Sequence, residues 1–143
     1  MIIMKKILCY LLISINLMMS CSSQNTSTSD TFKNFTKEFF MNQNVYRALK
    51  KYARNNTIQI IDPDHNIINE FTTFNNNNLN ININIEKQDD YDFYVKKAII
   101  NKHLAFVVLW YKDSTTALCF YPIKSEYTPN KWIVEEITTK SIK

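Results

Sequence analysis

Few side chains in this chain can do chemistry: Cys9, Cys21 and Cys119, His65 and His103, and three groupings of carboxylates. Asp62-x-Asp64-x-Asn66 has the spacing of the first three oxygen ligands of a calcium loop. Calcium takes six to eight oxygens, however, and here Ile67 stands where such a loop needs a glycine, Thr73 where it needs a bidentate Glu. A turn over Asp62-Pro63-Asp64-His65 accounts for the same residues without an ion. Proline presets φ at the second turn position, the Asp before it bonds back to the backbone, and His65 tolerates φ > 0. Both histidines fall in expected turns with no carboxylates spaced to complete a zinc site, so no metal is expected. Glu135 and Glu136 are adjacent on a strand and point to opposite faces, while Asp89, Asp90 and Asp92 read as a solvated loop. Cys119, between Leu118 and Phe120, reads as a buried strand thiol; either histidine could in principle serve it as a base, but turn residues lie far from a strand interior. No catalytic residue and no cofactor are assigned.

The chain contains no glycine. That excludes phosphate-cradling loops, dinucleotide fingerprints and the G-x-S-x-G nucleophile elbow. Backbone positions needing φ > 0 must be served by Asn, which clusters at Asn55-Asn56, Asn75 to Asn78, Asn101 and Asn130. A compositional bias towards Asn, Ile and Lys explains part of that abundance.

Lys5 and Lys6 precede an apolar run, Ile7 to Met19, interrupted only by Ser14 and Asn16. The run is too short to span a bilayer and is followed by Ser20, Cys21 and the polar tract Ser22 to Asp30, the grammar of a secretory signal. A Cys directly after a small residue at that boundary resembles the lipobox of a bacterial lipoprotein, with Met18 where Leu is commonest. The resemblance implies diacylglyceryl attachment at Cys21 and cleavage before it. Residues 1–20 are then the signal peptide, 21–30 the lipidated cysteine and tether, and 31–143 one domain. The implied location is the cell envelope, on the periplasmic or surface side of a bacterial membrane, with palmitate-type acylation and the bilayer itself as a partner. As a coil the tether averages ~15–18 Å. The mature chain would carry 15 basic and 13 acidic residues, too even a balance for nucleic acid. With Cys9 removed and Cys21 acylated, Cys119 has no disulfide partner in the chain.

Phe32, Phe35, Phe39 and Phe40 share one helical face, with Ser29 or Asp30 as cap. Val45, Leu49 and Tyr52 mark a second helix, capped by Asn42 or Asn44; Lys50, Lys51 and Arg54 suit the negative end of its dipole or a lipid headgroup. Strands are expected at 57–61, 66–71, 79–85, 91–100, 104–111, 116–124 and 132–138, the first two as a hairpin and Asn75 to Asn78 as a loop. Phe106 to Trp110 is apolar throughout and reads as a central strand covered on both faces. The class is α+β: two N-terminal helices on a curved antiparallel sheet. Helix, helix, hairpin and then "AFVVLWY…ALCFYPIK…NKWIVEEI" over residues 30–140 resemble the nuclear-transport-factor-two/ketosteroid-isomerase type of cone-shaped fold. The segment 79–85 departs from it, lying where that fold often carries a third helix. A cystatin-like sheet around a single helix is the alternative.

Aromatic residues crowd the strands, and Tyr or Trp on an exposed sheet face is the usual dress of a contact surface. Tyr94, Trp110, Tyr111, Tyr121 and Trp132 are the expected binding surface. The function expected is a non-enzymatic binding domain for a small apolar ligand or an envelope protein. Two other classes fit: a pocket enzyme of isomerase or hydratase type, or an inhibitor or immunity lipoprotein using the 62–66 or 75–78 loop.

Overall fold

Period-three-and-four phenylalanines produce the first element of the computed structural model, which describes residues 28–128 and 131–141. The expected signal segment and Cys21 lie outside those residues. Helix α1 (Thr28–Phe40) buries Phe35, Phe39 and Phe40 completely. It takes up the last residues assigned to the tether, so Ser29 and Asp30 fall inside the helix rather than capping it. Helix α2 (Gln43–Lys50) is capped by Asn42, whose side chain accepts from the Asn44 N–H at 2.9 Å, a contact worth ~1 kcal/mol. Val45 and Leu49 are its buried face.

The strands are β1 (Thr57–Ile61), β2 (Thr72–Asn76), β3 (Leu79–Asn84), β4 (Phe93–Ile100), β5 (Ala105–Tyr111), β6 (Thr116–Lys124) and β7 (Trp132–Ser141). They form one curled, mostly antiparallel sheet in the order β2-β3-β1-β4-β5-β6-β7. The fold is α+β with two helices on the sheet, which removes the single-helix, cystatin-like alternative. Strands β4 to β7 make the expected meander.

The first half differs. No hairpin joins 57–61 to 66–71; β1 instead lies between β3 and β4 and is parallel to both. Residues 66–71 form bends rather than a strand, and the Asp62 carboxylate gathers the N–H groups of 66, 67 and 68. The segment read as an asparagine loop is a tight hairpin: Asn77 (φ 47°) and Asn78 (φ 67°) are its two central residues and β2 and β3 its arms. Two successive positive φ values are what a type I′ turn requires, and Asn supplies them where glycine is absent. Asn55, Asn56 and His65 also have φ > 0, as their types suggested.

One core lies between the helices and the sheet. Phe35 meets Trp132 edge-on at 4.9 Å, Phe39 meets Phe120 at 5.1 Å, and Phe40 stacks on Phe74 at 5.4 Å. Each buried ring contributes ~1.5–3 kcal/mol by removal from water. Pro122, which has no N–H for a ladder, sits where the β6–β7 register shifts after Tyr121, a site where the missing donor is tolerated.

Candidate functional site

The face of β4–β7 turned away from the helices is aromatic and uncovered by either helix. Phe106, Val108 and Trp110 of β5 pack there with Ala117 and Cys119 of β6. Tyr94 pairs with Trp110 across β4–β5, and Tyr121 lies 5.1 Å from Phe106, centroid to centroid. Lys96 holds its ammonium 4.5 Å from the Trp110 ring centroid, a cation–π contact. The strand Phe106 to Trp110 is thus central, but its outer side carries only this thin cluster.

The five residues expected to form a binding surface divide. Tyr94, Trp110 and Tyr121 lie on the outer face. Tyr111 and Trp132 do not: Tyr111 packs against Tyr52 and Phe93, and Trp132 is 6% exposed in the main core against Phe35. Strand parity explains this, since Tyr111 points with Val107 and Leu109, and Trp132 with Val134, towards the helices.

The calcium-like motif is consumed by its own turn. One Asp62 oxygen accepts from the Asn66 N–H at 2.8 Å and the Asn66 amide at 3.2 Å; the other accepts from the Ile67 and Ile68 N–H groups at 2.7 and 3.1 Å. Asp64 turns to the outer face and accepts from the Tyr94 hydroxyl. That bond, reinforced by partial burial and the nearby negative charge, pushes the Tyr94 phenol up to about 12. A pKa raised above its unfolded value stabilises the fold fully below pH ~10 and is lost as pH rises through about 12. Tyrosinate absorbance during alkaline titration should show one phenol titrating late, and Asp64→Asn should return it towards the others. A Tyr94 indistinguishable from the remaining tyrosines would refute the contact.

The remaining chemistry-bearing groups are structural or scattered. Asp92, 1% exposed, accepts from the Gln59 N–H and from Arg54, both at 3.0 Å, with Lys112 at 3.6 Å. Arg54 also reaches Asp90 at 2.8 Å and holds that carboxyl below its usual range. Arg54, read as a helix-end charge or a headgroup contact, is tied instead to Asp90 and Asp92. Both histidines are exposed, while Cys119 is buried in the outer cluster. Among the described residues no three His, Cys, Asp or Glu gather as a metal site. Glu135 lies on the helix side, beside Arg47 and Lys51, and Glu136 pairs with Tyr121 on the other face. Apolar side chains pack the core between helices and sheet, a polar-lined hollow of about 360 Å³ opens between α2 and β6–β7, and the buried carboxylates among the described residues, Asp62 and Asp92, are already occupied.

A cleft of about 540 Å³ opens between α1 and residues 67–74. Phe32, Ile67, Ile68 and Phe74 supply apolar walls; Lys33 and Lys37 supply cations, and Glu70 an acid. Thr36 closes its base by hydrogen bonding to the Ile67 carbonyl at 2.6 Å. Sequence reasoning missed this cleft because it read 66–71 as a strand. The available signal was Phe32, which extends the α1 stripe one turn beyond the buried rings. No helix among the described residues is long and apolar enough to cross a membrane. Comparison with known protein families, with curated proteins and with solved structures finds no match to this chain.

Proposed function

We propose that this chain is a lipid-anchored envelope protein, held to a bacterial membrane through Cys21, whose domain binds a small amphiphile without transforming it. The observation that carries the reading is the cleft beside α1, of a volume usual for small-ligand sites, with apolar walls and two lysines at its rim. Its chemistry suits an alkyl or aryl body with an acidic head: the body lies against Phe32, Ile68 and Phe74, and the head meets Lys33 or Lys37. The curled sheet with both helices on one side also supports a cone-like architecture of the nuclear-transport-factor-two type. The parallel seating of β1 is then this chain's own variation on it.

Calorimetric titration with dodecanoate and with dodecyltrimethylammonium tests the reading. Dodecanoate should bind and the cation should not, and Lys33→Glu with Lys37→Glu should weaken dodecanoate by about tenfold or more, the scale of one lost charged hydrogen bond. Equal binding of both amphiphiles would remove the acidic head from the proposal, and binding of neither would end it.

A further inference from the structure

The outer sheet face is not uniform along its length. At the end where β4 passes to β5 and β6 to β7, it exposes Ile99 (45%), Leu104 (53%), Tyr121 (37%) and Ile123 (45%). Leu104 bridges to Ile123, and Ile99 pairs with Phe106, whose ring touches Tyr121, so these side chains are contiguous. Monomeric domains seldom leave such a patch without a use. Exposed Lys97, Lys102 and Lys131 surround it, against Glu126 in the adjoining loop and Glu136, which pairs with Tyr121. Tyr127, 94% exposed, projects from that same loop, which the Ser125 N–H closes on the Lys131 carbonyl.

The start of α1 lies at this end too. Going back along the helix, Phe40 meets Phe74, Phe39 meets Phe120, and Phe35 meets Trp132, which pairs with Lys124. The first turn of α1 therefore lies at the same end of the sheet as the patch, on the side the helices cover. The six residues between Cys21 and Thr28 reach at most ~25 Å. At the opposite end of the sheet, Arg54 is tied to Asp90 and Asp92.

We infer that the apolar, lysine-rimmed end of the β4–β7 face docks on an anionic bilayer surface. Ile99, Leu104 and Ile123 enter the headgroup boundary, Tyr127 sits at the level where amphipathic rings settle, and the lysines meet acidic headgroups. The occupant is the bilayer because the charge of the rim favours it and α1 begins at the same end of the sheet. The inference builds on the anchored reading above, which fixes the same end of the domain near the membrane.

The test uses the mature chain in vesicles of phosphatidylcholine, with or without phosphatidylglycerol, and reads amide hydrogen exchange over 99–104 and 121–124. Intact mass establishes separately whether Cys21 is acylated. Exchange in both segments should slow only with the anionic lipid. Lys97→Gln and Lys102→Gln should each reduce the ratio of docked to undocked protein about fivefold, and high salt should do likewise. Slowed exchange in an unacylated chain would uphold docking while ending the anchor. An acylated chain whose two segments exchange equally in both vesicles would overturn docking and leave the anchor standing. A protein partner on this face would also give that lipid-independent result.

Discussion

Asp62→Ala should cost the domain about 3–5 kcal/mol, a large share of its stability. The Asp62 side chain is fully buried and its two oxygens accept four hydrogen bonds, three of them from backbone N–H groups. A bond to a charged acceptor is worth ~1.5–3 kcal/mol, and each buried donor left without a partner costs ~1–3 kcal/mol, with losses that overlap rather than add. A domain of this size has only ~5–15 kcal/mol to lose. Asp62→Asn keeps one accepting oxygen and turns an amide towards the other donors, so it should fall between. Denaturant midpoints at constant m-value measure both variants. A loss below ~1 kcal/mol for the alanine variant would mean that the 66–68 backbone finds other acceptors. The same substitution should abolish amphiphile binding, because Ile67 and Ile68 are two walls of the cleft.

Phe39→Ala is expected to be equally damaging, at about 3–5 kcal/mol. Its ring is fully buried and touches Phe35, Phe40 and Phe120, so its removal opens a cavity where both helices meet the sheet. Phe39→Leu refills most of the volume and should lose less than half as much. Thermal unfolding of the pair checks this. Equal losses from Leu and Ala would show that ring–ring geometry outweighs volume.

The helices, β1 and the strands from residue 79 onward could be read from local pattern, because their apolar residues repeat at one period or run unbroken between turn residues. Residues 66–71 could not. Their apolar content resembles a strand, and the Asp62 carboxylate, four to six residues back, bends them by taking the N–H groups of 66–68. Strand β2 was hidden by its asparagines, although Asn77-Asn78 between two alternating segments is a turn signal of the same kind as Asn-Gly. For the candidate surface, alternation predicts that Trp110 and Tyr111 face oppositely, but it does not say which side the helices cover. A continuous apolar run such as Phe106 to Trp110 erases the contrast that would have decided it. The cleft depends on how α1 crosses the 67–74 bends, and no local signal reports that.

The seating of β1 sets the order in which the chain can assemble. The β2–β3 hairpin and the β4–β7 meander each close through short connections, whereas β1 must wait for both before its two parallel ladders can form. Its insertion should be the slow step of folding, since long-range pairings pay the largest loop-closure cost. Until it is seated, β3 and β4 present open edges on which a second chain can template, so aggregation during refolding should begin there.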